Sequence, residues 1–583
     1  MTDKSLEFLK SKPADKDFHC SRIMFCLRNG KVEIGPENTS ESHIEWFGRE
    51  GWLTDENAEQ FLSENIRGFF LPKENKLYAY RGVGFQFDEK VLPELSDKIE
   101  DFKKCFNLND ETEIHLGPKD SPINGREYPR RYAGRIKELM AEFRVELMGS
   151  PQNAQTMAVA AALGCFEEKS APQILEELLA LPKEERLKKE KAVLKNSFGR
   201  GHGSVGDQIH FTFSVENLPR AATLFLCLPE YLEHLQQSLR RAKASRGFYL
   251  PEAIKNSALA EKVRTSLNRT FDFYSRACAA GIPEEDARFP LSLYTKTNIT
   301  TTGNARELCH ISSMARQQSV PGIARAVADE MVGQASKVTP YLFEDFGFNY
   351  EILSWYPSSQ LFASTNSTIT RLVKSHEKNG SAAVLLNWMS SFEPTPEMLE
   401  KSVGEKDEAE LSNLKHLHFE FLVAMSLTCF HQATRQRTWN HSVESIYDAA
   451  EDALLHPEER MVLPPSIKNS GFVSEYKEIH LSLLKLYKEL TEQGIAKSEA
   501  VGVLPHSLKI YDWIHVNGWN AIHSIGKRTC TEAQWEIRLI ARKISEEIKK
   551  AVPAFRKWAE PQCITYGKCP EIKDCGYYRK NRN

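Results

Sequence analysis

Residues 289–310 read FPLSLYTKTNITTTGNARELCH, and residues 503–524 read VLPHSLKIYDWIHVNGWNAIHS. The two stretches set Asn304 against Asn517 and His310 against His523, each pair 213 residues apart. Working outward, FTFSVEN (211–217) answers FEFLVAM (419–425), with Phe211 and Phe419 separated by 208 residues. Nearer the N-terminus, FRVELMGSPQNAQTMAVAAALG (143–164) is matched with FNYEILSWYPSSQLFASTNSTI (348–369), and Phe143 and Phe348 lie 205 apart. Each offers a short β-branched run, a Pro turn and then a helix. Three in-order matches at nearly constant spacing indicate a tandem duplication. Apolar periodicity alone would not put Asn and His at matched places.

The duplication leaves residues 1–125 over. They mix strand-like runs such as LYAYRGVGFQF (77–87) with helix-like ones such as PELSDKIEDFKKCF (93–106), as a small α+β module does. The Pro- and Gly-rich HLGPKDSPINGREYP (115–129) suits a linker. The chain therefore divides into an N-terminal module (1–125), a first repeated unit (126–345) and a second (346–583), and the whole is expected to be α+β, with helices packed on a mixed sheet in each unit. LPKEERLKKEKAVLK (181–195) reads as a solvated helix. TEAQWEIRLIARKISEEIKKAV (531–552) places Trp535, Ile537, Leu539, Ile540 and Ile544 toward one side, as a core-facing helix does.

A chain of 583 residues exceeds a single core. Its 76 basic and 79 acidic side chains leave a net charge of -3, which argues against a nucleic-acid polymer as partner but allows a local phosphate pocket. No run approaches the roughly 18 apolar residues of a membrane span, and MTDKSLEFLKSKPADKDF lacks the apolar core of a secretory signal. A cytoplasmic protein is expected. Twelve scattered cysteines then imply free thiols. In the tail QCITYGKCPEIKDCGYY, Cys563, Cys569 and Cys575 stand at six-residue steps, which departs from the paired CxxC spacing of zinc sites. The expectation is an irregular tail with exposed thiols and no metal.

At these residues the chain resembles the flavin-dependent thymidylate synthases. That family carries Arg-His-Arg, seven residues, then Ser; here Arg435, Gln436 and Arg437 precede Ser445 at that spacing, with Gln for the central His. Its Gly-His-x-Ser segment before a Phe-Thr-Phe strand is matched by GHGSVGDQIHFTF, with His202 and Ser204. Its later Ala-Arg, Leu-Pro, Asn-Ala-Arg, His, Arg and Ala-Gln-Trp-Glu elements are shared between EDARFPLSLYTKTNITTTGNARELCH in the first copy and VLP, Asn517, His523, Arg528 and AQWE in the second. The resemblance spans about residues 140–583.

The two copies depart from the family in complementary ways. The first reads Leu-Pro-Glu where Arg-His-Arg is expected, yet keeps QQSLRR, with Gln237, Ser238 and Arg240, and keeps Arg288. The second has Tyr447 and Val501 at the places of those two arginines and lacks Gly-His-x-Ser, yet keeps Gln432, Arg435, Arg437 and Arg528. In the family, a nucleotide site is assembled across a subunit interface. The resemblance therefore implies one whole composite site from Gln432, Arg435 and Arg528 with Gln237, Ser238, Arg240 and Arg288, and a dead mirror image. It also implies a dimer of such chains, equivalent to the family's four units.

Arginine's planar fork suits a nucleoside monophosphate, where lysine offers a point charge. Arg240 and Arg288 are candidates for that clamp, with Ser238 as a neutral donor. By resemblance, Arg528 is the catalytic cation that stabilises a deprotonated uracil imide so that C5 can attack a one-carbon unit. The resemblance implies dUMP as substrate, with FAD, NADPH and methylenetetrahydrofolate. It assigns flavin contacts to Arg437, His202, Ser204, Asn304, Arg306, His310, Asn517 and His523. Asn304 and Asn517 equally suit helix caps, and His310 and His523 equally suit core histidines. Two other outcomes stay open: a flavin- and folate-dependent enzyme making a different modified pyrimidine nucleotide, and a non-catalytic nucleotide- or flavin-binding protein.

Overall fold

The computed structural model describes residues 23–35, 43–54, 57, 60–61, 64–71, 76–81, 94–95, 97–106, 113–116, 143–344, 361–376, 380–572 and 575–581. Two bodies divide the chain at 143/144. The N-terminal one is built on a sheet of β1 (Ile23–Arg28), β2 (Lys31–Ile34), β3 (Ile66–Leu71), β4 (Lys76–Tyr80) and β5 (Glu113–Leu116), in the order β2-β1-β3-β4-β5. Among the described residues of this body only β4 and β5 run parallel. Phe25, Phe70 and Leu77 on this sheet bury against Phe102 and Phe106 of the helix Ile99–Phe106. The expected helical stretch holds the helix Ile99–Phe106, with Glu94 and Leu95 also helical before it, and the second half of the expected strand, like most of the 115–129 linker, lies outside the described residues.

The second body holds two four-stranded sheets with one blueprint. The first is β6 (Arg144–Gly149), β7 (His210–Pro219), β8 (Glu233–Gln236) and β9 (Lys296–Asn304), ordered β6-β7-β9-β8. The second is β10 (Ala383–Ser390), β11 (Leu417–Ser426), β12 (Asn440–Val443) and β13 (Lys509–Asn517), ordered β10-β11-β13-β12. Alternation explains both: Phe211, Phe213 and Val215 on β7, like Leu417, Phe419 and Phe421 on β11, turn inward and are fully buried. All pairings are antiparallel, which refines the expected mixed sheet. The registers coincide at matched places, with His210 facing Asn304 as His418 faces Asn517 and His234 facing Thr301 as His441 faces Ile514, although β7 bulges between Val215 and Leu218 where β11 does not.

Register also corrects one sequence match. The counterpart of β6 is β10, since Leu147 opposes Phe213 as Leu385 opposes Phe421, and both strands bulge immediately afterwards. Residues 345–360, which hold the run matched by Phe348, lie outside the described residues. The RVELMG and AVLLNWMS strands share no residue pattern that would reveal the pairing; only position in the sheet does.

The units meet about a local two-fold axis. The Leu293 N–H donates to Leu504 O at 2.9 Å, and His506 N–H to Leu291 O at 2.9 Å; Tyr294 N–H donates to Gly502 O at 2.8 Å, and Ser507 N–H to Phe289 O at 2.9 Å. Each bond's partner is the same bond with the copies exchanged, the signature of an isologous contact. The helix Trp535–Ala551 buries Ile537, Ile540 and Ile544 as expected, but Leu539 is 53% exposed and Glu536 points inward instead. The helix Lys183–Asn196 is largely exposed, except for Leu194 and Glu190, which accepts from Gln155 and Thr156. Among the described residues no helix is long and apolar enough to cross a membrane.

Candidate active site

At the seam, side chains of both units converge. Arg528 ends the helix Gly518–Arg528 and donates from Nη2 to Gln432 O at 3.3 Å. With its amide oxygen toward the guanidinium, Gln436 accepts from Arg528 Nε at 2.7 Å and Nη2 at 2.8 Å. The residue that replaces the family's histidine therefore fixes the arginine's orientation. From the first unit, Arg240 pairs through Nε with Glu285 at 2.7 Å and donates from Nη2 to Glu532 O, on the second unit, at 3.1 Å. Arg288, 2% exposed, donates from Nε to Glu285 O at 3.1 Å, while its Nη2 is buried without a hydrogen-bond partner among the described residues.

These cations sense one another across the seam. Burial, followed by the charges of Arg435 and Arg240, pushes Arg528 down to about 10. Burial and the Arg240 charge push Arg288 down to about 10 as well. A further buried cation escaped the sequence reading: Arg220, 3% exposed, points Nε at His506 Nε2 (3.3 Å), and burial with the Arg288 charge lowers it to about 9. Its only sequence signal was a basic residue at the end of an apolar strand. Arg435 itself is exposed, and Ser238 Oγ accepts from Arg240 N–H at 3.2 Å. Gln237 accepts from Arg246 Nε at 3.3 Å.

Beside this cluster lies a cavity of about 250 Å³ lined by Cys227, Leu232 and His234 of the first unit and His431, Arg435 and Arg437 of the second. Arg437 reaches across it to Glu233 at 2.6 Å. His234 is held neutral, its basicity lowered to about 3 by burial and the Arg437 charge; His431 is lowered too, by burial and Arg220.

The residues assigned to a flavin fall into separate places. His202 and Ser204, both exposed, begin the turn Gly203–Gln208, whose Asp207 holds Arg306 at 3.1 Å and Asn304 Nδ2 at 3.1 Å. Asn304 and Asn517 are helix N-caps, each accepting from the backbone N–H three residues on at 2.9 Å. His310 is 2% exposed within the helix Ala305–Ala315, whereas His523 faces outward. Arg437, His202, Ser204, Arg306 and His523 thus have the exposure that a flavin contact needs. The two Asn oxygens are committed to their helices, and His310 is a core residue.

The mirror position is built differently. Register equates Gln432, Arg435 and Arg528 with Phe225, Leu228 and Ala315, and Arg240 and Arg288 with Tyr447 and Val501. All five counterparts are buried, at 8% exposure or less. Tyr447 Oη donates to Ser319 O. No cation stands at any of them.

The family model of the thymidylate synthase complementing protein matches residues 146–341 and again 364–554. A flavin-dependent thymidylate synthase of Pyrococcus abyssi is 35% identical over 180 residues, covering 29% of this chain and 73% of the relative. One of Geobacter sulfurreducens is 31% identical over 209 residues, covering 34% and 85%. Among solved structures, the UMP/dUMP methylase PolB of Streptomyces cacaoi bound with 5-Br dUMP is similar at 20% identity, covering 35% of this chain and 94% of that one with a TM-score of 0.31. Matched once by each of its halves, the chain belongs to the flavin-dependent thymidylate synthase family.

Proposed function

We propose that the chain methylates dUMP reductively to dTMP at one site shared by both units, with methylenetetrahydrofolate as carbon donor, NADPH as reductant and FAD as the flavin. The observation that carries this reading is Arg288, a buried guanidinium beside Arg240 whose Nη2 has no partner among the described residues. A buried guanidinium with an unused donor is costly, and a phosphate monoester relieves that cost with paired charge-assisted hydrogen bonds. Arg240 completes the clamp. Ser238, whose oxygen is occupied by Arg240 N–H, offers its hydroxyl proton.

Arg528, aimed by Gln436 and the Gln432 carbonyl, stabilises the deprotonated imide of the uracil ring and so enriches C5 in electrons. Because the guanidinium is already oriented, little reorganisation opposes the step. When bound, the flavin supplies the hydride chemistry; Arg437, His202, Ser204, Arg306 and His523 are the residues that would hold it. We take the units to extend over 126–345 and 346–583, and the chain to act as a cytoplasmic homodimer.

Tritium release from C5-labelled dUMP, with the product identified by mass spectrometry, tests this reading. dTMP is expected, together with a yellow protein bleached anaerobically by NADPH. A colourless protein, or a product other than dTMP, overturns it.

A further inference from the structure

The C-terminal tail does not hang free. The helix Gln562–Thr565 packs on the helix Gly518–Arg528 so closely that a Cβ on Gly526 would stand 2.8 Å from Gln562 Cγ. Gly567 and Gly576, at φ +68° and +75°, turn the chain back on each side of Cys569 and Cys575. As a result four thiols line one pocket: Cys563, Cys569 and Cys575 of the tail, and Cys530 from the loop that follows Arg528. Cys563 and Cys569 are half-buried, and Cys575 alone of the tail thiols is exposed, contrary to the expected tail of exposed thiols.

We propose that Cys530, Cys563, Cys569 and Cys575 form a four-thiolate centre for a soft transition metal. Two properties support it. The number and type of donors match what zinc and iron–sulfur centres use. The thiols come from two segments 33 residues apart, Cys530 and Cys563, which a metal would cross-link. On binding, four Cys–SH groups become four Cys–S⁻ ligands and four protons leave.

Among the described residues no group of three such side chains already stands in metal-binding geometry. Binding therefore draws the sulfurs inward to metal–sulfur distances of about 2.3 Å for zinc. Cys530 lies two residues after Arg528, and the carbonyl of Glu532, in the same loop, receives Arg240. The centre would be a positioning device for both arginines.

The full-length chain, purified without a metal-binding tag or chelator, is assayed for zinc, iron and acid-labile sulfide. It is then apo-prepared and titrated with Co2+ or, anaerobically, with iron and sulfide. The expected result is one zinc per chain with a thiolate-to-cobalt charge-transfer band, or iron with labile sulfide; the first assigns a mononuclear site and the second a cluster. Cys530→Ser and Cys563→Ser, checked by circular dichroism for folding, should each lower metal content at least tenfold. Cys569→Ser with Cys575→Ser, which touches only the tail, should do the same. Cys165→Ser, on a distant exposed thiol, should leave it unchanged. A folded chain with four reduced thiols that takes up neither zinc nor iron overturns the proposal. So does a Cys530–tail disulfide, or full metal content in the folded variants.

Discussion

The two seam positions of this molecule occupy equivalent ground and have opposite contents. One gathers Arg240, Arg288, Arg435 and Arg528; the other fills the same register with Tyr447, Val501, Leu228 and Ala315. The difference shows what keeping buried charge costs. Where no anion is expected, the fold buries apolar side chains and gains roughly 1.5–3 kcal/mol for each large one. Where cations are kept, two of them, Arg288 and Arg528, lose basicity to burial and to each other's neighbours. A pocket that keeps such charges has a use for them.

The comparison breaks first at Arg288. Arg288→Ala and Arg528→Ala should each lower kcat/KM by on the order of a thousandfold or more, as loss of preorganised charge does. Val501→Ala, at the mirror place, should leave turnover intact and cost about 1–2 kcal/mol of stability. Steady-state kinetics beside thermal melts decide, and equal tolerance at 288 and 501 defeats the asymmetry.

Gln436 comes next. Gln436→Leu removes the acceptor that orients Arg528 and should lower kcat/KM about 10- to 100-fold, the usual worth of a hydrogen bond to a charged group. Gln436→His, restoring the residue the family resemblance expects, should retain most of it. A Leu variant with unchanged kinetics would show that Arg528 needs no such partner.

Glu536 sharpens the contrast in another way. Its carboxylate accepts from Ser426 N–H at 2.7 Å and Oγ–H at 2.6 Å, yet burial raises it from 4.5 to about 7; its register counterpart is the apolar Ile323. The folded chain therefore holds this proton through a pH range in which the unfolded chain has released it. Stability should fall as pH rises from 4.5 to about 7, on the order of 1–3 kcal/mol. Glu536→Gln should flatten that slope in urea melts, and an unchanged slope would assign it elsewhere. The smallest effect belongs to Arg437: its bridge to the 72% exposed Glu233 crosses the seam in solvent, so Glu233→Gln should cost less than about 1 kcal/mol.

The duplication was legible because helix caps and strand alternation repeat. Asn304 and Asn517 head equivalent helices, and Phe211 and Phe419 face equivalent cores. The first strand of the second unit was misread, because its identity is set by hydrogen-bond register with β11 and by no side-chain pattern. At the seam, the arginines were picked out through the family resemblance carried by Arg435, Arg437 and QQSLRR, whose order along the chain a sequence displays directly. Arg220 was missed because nothing local marks it; its role comes from His506, 286 positions away in sequence. The thiol pocket was missed for the same reason, as Cys530 is remote from the tail it meets.

The reciprocal backbone bonds at the local axis have a consequence for how this protein can change. In an assembly of identical subunits every substitution is made at all symmetry-related places at once, so a residue useful at one place and harmful at its image is hard to keep. Here Leu293–Leu504 and His506–Leu291 preserve the old docking geometry while peptide linkage makes its two sides separately mutable. The chain is free to specialise one face and let the other settle into ordinary core.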